Sequence, residues 1–130
     1  MEKVLIVLFT CLVTCSFGQT QTEMNEEAYS NYQKADKELN GVYKNILVKY
    51  KTDKAFLANL KASQRIWISF RDAELKMKYP EREVGYYGSI HPVCQANYLE
   101  KLTRERTNHL RTWLNGVEEG DACSGSIQTK

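Results

Sequence analysis

Proline and histidine are both scarce, two of each in 130 residues, and each shortage removes a class of answer. With so little proline, long helices can run unbroken. His91 and His109 stand far apart and without a cluster of sulfur or carboxylate ligands, so no metal site is expected. No run of lysine or arginine is long enough to form a binding arm. The formal net charge of +2 is too small to mark nucleic acid or an anionic membrane as the main partner. Sequences of the type H-E-x-x-H, glycine-rich phosphate loops, calcium loops and G-x-S-x-G are absent. The carboxylate groupings Glu26-Glu27, Glu81 with Glu83, and Glu118-Glu119 lie in polar segments that lack the contrasting environments acid–base pairs need. The expectation is a non-enzyme with no catalytic residue and no cofactor.

What is present begins with the leader. MEKVLIVLFTCLVTCSFG combines Lys3, an apolar run from Val4 to Val13, and the small residues Ser16 and Gly18. It reads as a secretory signal over residues 1–18, cleaved between Gly18 and Gln19. The run falls short of the roughly 20 residues a membrane span requires, and no second one follows. Lipid attachment at Cys15 is the lesser alternative, since Leu12-Val13-Thr14-Cys15 loosely imitates a lipoprotein signal. Cleavage removes Cys11 and Cys15. Glu2 and Lys3 leave together, so the charge stays at +2. Cys94 and Cys123 then remain in a chain bound for an oxidising compartment, and a disulfide between them is expected, tying the C-terminal tail to the start of the third helix.

Residues 19–130 read as one all-α domain, a small three-helix bundle. The first helix is expected from about Glu23 to Lys51, with Tyr32, Ala35, Leu39, Tyr43, Ile46 and Tyr50 along one stripe. The second starts after Asp53, a good N-cap, and carries Phe56, Leu60, Ser63, Trp67, Phe70 and Glu74 until Tyr79-Pro80. The third begins near Ser89, tolerates Pro92 in its first turn, and aligns Leu99, Leu102, Arg106, Leu110 and Trp113 before Asn115-Gly116. A short polar link makes the first two an antiparallel hairpin. A longer loop, PEREVGYYGS, separates the second and third.

The helical stripes contain groups that ordinarily face water. At 100° per residue, Gln64, Arg71 and Glu74 point roughly where Trp67 points, Arg106 interrupts the third stripe, and Asp36 and Asn40 flank Leu39. An unpaired arginine in a core is costly, so these groups are expected to meet one another between the helices. Two readings stay open at this point: a structural network that fixes helix register, and a ligand site.

These residues also carry a resemblance. Asp36-x-x-Leu39-Asn40-x-x-Tyr43, then Leu60-x-x-x-Gln64-Arg65-x-Trp67-x-x-x-Arg71-Asp72-Ala73-Glu74, then Gly88-Ser89, and Leu102-Thr103-x-x-Arg106-x-x-x-Leu110 resemble the N-terminal domain type of the LprI-like lysozyme inhibitor family, from about Ala28 to Trp113. The resemblance implies a small helical domain in the bacterial envelope, secreted or periplasmic, that inhibits lysozyme. The family commonly has cysteine after R-D-A-E, where this chain has Leu75; Cys123 would then replace that partner for Cys94.

The implied partner is a protein, lysozyme or another muramidase. The alternative is a module for another protein or a cell-wall fragment, with no lysozyme inhibition. A cleft enzyme is blocked by a projecting feature, and the loop from Glu81 to Ser89 is the expected one, with Glu81, Glu83, Tyr86, Tyr87 and Ser89 as contact residues. The acidic run Glu118, Glu119 and Asp121 is the second choice for a basic partner.

Overall fold

The computed structural model describes residues 18–130; the expected signal segment and the alternative lipid site at Cys15 lie outside the described residues, save Gly18. Three helices follow in order: α1 (Gln21–Lys49), α2 (Lys54–Lys78) and α3 (His91–Asn115). The chain is an all-α bundle.

Each helix starts for a local reason. Thr20 and Glu23 form a reciprocal capping box, the Thr20 hydroxyl accepting from the Glu23 amide at 3.2 Å and the Glu23 carboxylate from the Thr20 amide at 2.8 Å. This places the start of α1 two residues before the expected Glu23. Asp53 caps α2 through the Phe56 amide at 2.9 Å. Pro92 sits in the first turn of α3, where its missing N–H costs nothing. Tyr79, just before Pro80, ends α2.

Side-chain pairings give the directions. Glu38 of α1 meets Arg104 and Arg111 of α3, and Lys49 and Tyr50 reach the Trp113 carbonyl, so α1 and α3 run parallel. Asp36 faces Arg71, and Gln64 faces Arg106, so α2 runs opposite to both. The closest backbone approach is between α1 and α3, where small buried residues, Ala28, Ala35, Ala96, Thr103 and Thr107, allow the axes together. α2 stands further off on larger side chains, and only Leu60 and Gln64 of it are buried. The apolar core of Leu39, Val42, Ile46, Tyr50, Leu60 and Leu110 lies toward the α1–α2 turn, with Phe56, Trp67 and Trp113 packed around it.

The stripe expected on α2 is displaced. Of the two overlapping lines on α2, Phe70 is 51% exposed and Ser63 is exposed, while the line expected to carry Gln64 and Arg71 beside Trp67 is the one that faces inward, with Leu60 and Gln64 buried. The stripe on α3 is displaced too: its most buried residues include Thr103 and Thr107, beside Leu102 and Arg106 rather than on them.

The expected disulfide is not formed; Cys94 and Cys123 are free thiols, half-buried and exposed respectively. Geometry explains this. After Gly116 the tail returns over the C-terminal end of α3: Val117 pairs with Thr129 in a parallel β-bridge, Trp113 donates to the Ser126 hydroxyl at 3.0 Å, and the Gln128 amide donates to the Tyr50 hydroxyl at 3.2 Å. Cys94 lies in the first turn of α3, about 28 Å along the axis from Trp113. Cys123 is three residues from Ser126, a reach of about 10 Å, whereas a bonded pair needs Cα atoms about 4.4 to 6.8 Å apart. Hydrogen bonds, not sulfur, hold the tail.

Candidate functional site

The inward polar residues fall into two groups joined at Trp67. In the first, Arg71 lies between α1 and α2 with its side chain 14% exposed, 3.8 Å from Asp36 and making 2.9 and 3.0 Å hydrogen bonds to Asp72. Asn40 donates to Asp36 at 3.1 Å and holds that carboxylate in place. In the second, Arg106 of α3 donates to the Gln64 side-chain carbonyl at 3.1 Å and to the Ser63 hydroxyl at 3.0 Å. Both guanidinium groups sit over the Trp67 ring, Arg71 at 5.4 Å and Arg106 at 6.0 Å from its centroid.

The two arginines are compensated differently. Arg71 has carboxylates; Arg106 has none within salt-bridge distance among the described residues. Burial accordingly holds the Arg106 guanidinium below the ordinary arginine pKa. Glu74, a candidate partner for the arginines, stands apart and accepts from the Tyr98 hydroxyl at 3.1 Å. The Tyr98 phenol is raised, first by burial and then by that bond. The residues expected to share one network thus form two clusters and a separate pair.

The segment 79–90 joins α2 to α3 at one end of the bundle. Gly85 and Gly88 take positive φ, 85° and 72°, which lets the chain turn tightly there. Tyr87 packs inward: its hydroxyl donates to the Pro80 carbonyl at 2.7 Å, and its ring meets Tyr79 and His91 at 5.6 and 4.5 Å. Tyr86 remains 62% exposed, edge-on to Tyr87 at 4.9 Å, beside fully exposed Val84. Glu81, Glu83 and Ser89 are exposed. The two adjacent tyrosines therefore divide the work, one closing the bundle and one facing out. In the acidic tail, Glu118 is taken up by Lys130 at 2.7 Å, and Asp121 accepts from the Cys123 amide at 2.8 Å.

Sequence reasoning missed one feature at the other end. An open cavity of about 420 Å³ lies between α2 and α3, walled by Phe56, Leu110 and Trp113, with Arg106 and Ser63 on its polar side. The His109 and Trp113 rings meet in a T at 5.4 Å, and that i,i+4 aromatic spacing was the available signal. Among the described residues no group of three His, Cys, Asp or Glu could hold a metal ion, and no helix is long and apolar enough to cross a membrane.

These features define a small all-α bundle with arginines pinned between its helices around a tryptophan. The chain belongs to the LprI lysozyme inhibitor family, whose model, described as "Lysozyme inhibitor LprI", matches residues 11–110. It is also 30% identical over 115 residues to "Uncharacterized protein R02472" of Rhizobium meliloti (strain 1021), covering 80% of this chain and 81% of that one. No solved structure matches it.

Proposed function

We propose that the chain is an exported lysozyme-inhibitor-like binding protein, without enzymatic activity, that acts from the bacterial envelope through the segment Glu81 to Ser89. Family membership supports the target class. The observation that carries the site is the contrast within the loop: Tyr87 is tied to Pro80 and His91, while Tyr86 and Val84 stand out from that fixed base. A rigid base lets an exposed aromatic enter a cleft with little ordering cost, and tyrosine is a residue type that dominates binding hot spots. Glu81 and Glu83 flank it and meet basic groups on the enzyme. The helix faces give the loop its support and take no part in the contact.

The test is hydrolysis of bacterial cell walls by lysozyme with the purified protein present. Dose-dependent inhibition is expected, and Tyr86→Ala or Val84→Asp should abolish it with the thermal transition unchanged. Absence of inhibition by the unaltered protein sinks the lysozyme reading. Inhibition that survives both substitutions moves the contact away from the loop.

A further inference from the structure

We propose that the cavity between α2 and α3 binds the free C-terminal carboxylate of a peptide ending in an aromatic residue, with Arg106 as the anion receptor. The cavity lies at the α1–α2 turn and the tail, the opposite end of the bundle from segment 81–89, so the inference does not rest on the inhibitor reading.

A guanidinium carries five N–H donors. Two are used by Arg106, one on the Gln64 carbonyl and one on the Ser63 hydroxyl. Both acceptors are neutral, and three donors remain on a half-buried cation with no carboxylate partner among the described residues. Its position is fixed from one side by Gln64 and from another by the Trp67 ring. A receptor held this way meets an incoming carboxylate without first breaking an ion pair, and arginine pairs with carboxylate in a two-pronged geometry.

The walls select what the carboxylate is attached to. Phe56 and Trp113 are stacked at 6.3 Å, and His109 meets Trp113 edge-on, so the apolar part of the cavity is aromatic. Its volume, about 420 Å³, is within the range that small ligands fill. An aromatic ring beside the carboxylate would stack there. The rim decides between a peptide and a fatty acid. Asn59, Ser63 and Ser126 place an amide and two hydroxyls around the opening. The Ser63 and Ser126 hydroxyls already accept from Arg106 and Trp113 but each keeps a proton to donate, and the Asn59 amide has no partner among the described residues. Main-chain groups of a peptide would pair with these, whereas an alkyl chain would cover the Asn59 amide and the two hydroxyl protons without partners.

Calorimetric titration of the purified protein with acetyl-Ala-Phe, acetyl-Ala-Phe-amide and octanoate tests this. The acid should bind, and the amide should bind at least about tenfold more weakly, because it cannot pair with the free guanidinium donors. Arg106→Lys should weaken the acid and leave the amide unchanged. Asn59→Trp, at an exposed rim position, should block the acid while the melting temperature holds, which keeps the test decisive if the arginine variant folds poorly. Equal binding of acid and amide, binding of neither, or undiminished binding to the Asn59→Trp protein overturns the proposal. Octanoate binding as tightly as the peptide acid would also overturn it, by making the occupant a fatty acid.

Discussion

Arg106 donates from Nε to the side-chain carbonyl of Gln64 at 3.1 Å, a neutral partner at a position where an inward arginine ordinarily meets a carboxylate. Arg71, one turn along α2 from Trp67, has the opposite arrangement, with Asp36 and Asp72 both beside it. The difference decides which of the two clusters is sensitive to substitution.

Gln64→Ala should cost more stability than Arg71→Ala. Gln64 is buried, and removing it takes an acceptor from a half-buried cation, a charged hydrogen bond contributing about 1.5 to 3 kcal/mol. Arg71→Ala leaves Asp36 and Asp72 behind, but their side chains are 42% and 54% exposed and water takes over, so about 1 kcal/mol is expected from lost contact with Trp67. Urea unfolding of the two variants checks the order; a larger loss for Arg71→Ala would contradict it.

Thr103→Val should stabilise the protein. The Thr103 hydroxyl oxygen is buried with no partner, while that of Thr107, one turn on, donates to the Thr103 carbonyl at 2.9 Å. A valine of the same shape removes the unpaired oxygen and keeps the close α1–α3 packing, with a gain of about 1 kcal/mol. Thr107→Val, which loses a made bond, should not raise the melting temperature.

The contrast between those threonines also shows what the sequence could and could not reveal. Leu39, Ile46, Tyr50, Leu60 and Leu110 stand out by apolar spacing, and all are buried. The buried line of α3 is hidden in the sequence because Thr103 and Thr107 read as polar; their small size, which admits a close neighbouring helix, explains their burial. Gln64, Arg71 and Arg106 are legible in the sequence because they break an apolar pattern. Which partner each would take was not readable, since α1 packs closest on α3 and α2 is held away, a tertiary outcome that spacing along one helix does not encode. The cysteines mislead for a similar reason: counting them supplies a pair, and helix length separates it.

Gly116→Ala should loosen the tail. Gly116 has φ 73° and ψ 176°, a conformation nearly confined to glycine, and an added Cβ would stand 2.9 Å from the Gln128 carbonyl oxygen. A loss of about 1 to 3 kcal/mol is expected. Because Ser126 accepts from the Trp113 indole, the intrinsic fluorescence of Trp113 should shift as well. An unchanged melting temperature and spectrum would mean that the tail does not depend on this turn.

Alkylation should label both Cys94 and Cys123 in unreduced, unfolded protein, since neither is bonded to the other. In the folded protein Cys123, which is exposed, should react faster than half-buried Cys94. Mass spectrometry of peptides spanning the two sites distinguishes this from a linked pair, which would stay unlabelled until reduced.

The last prediction separates the two tyrosines of the α2–α3 loop. Tyr87 spends its hydroxyl on Pro80 and its ring on Tyr79 and His91, so Tyr87→Ala removes a hydrogen bond and an aromatic cluster together and should cost about 2 to 4 kcal/mol. Tyr87→Phe keeps the ring and loses only the bond to the Pro80 carbonyl, a cost of about 1 kcal/mol, and should leave inhibition intact because the base of the loop is still filled. Tyr86 is 62% exposed, and among the described residues its aromatic and cationic partners are Tyr87 and Arg82, so Tyr86→Ala should change stability by less than about 0.5 kcal/mol. If Tyr86 is the residue that enters the enzyme, the same substitution should weaken inhibition by at least about thirtyfold, the size of a hot-spot loss of 2 kcal/mol. Thermal melts of the three variants and inhibition curves for Tyr87→Phe and Tyr86→Ala check these five outcomes. Inhibition lost with Tyr87→Phe and kept with Tyr86→Ala would reverse the assignment and make the buried tyrosine's hydroxyl, rather than the exposed ring, the group the partner needs.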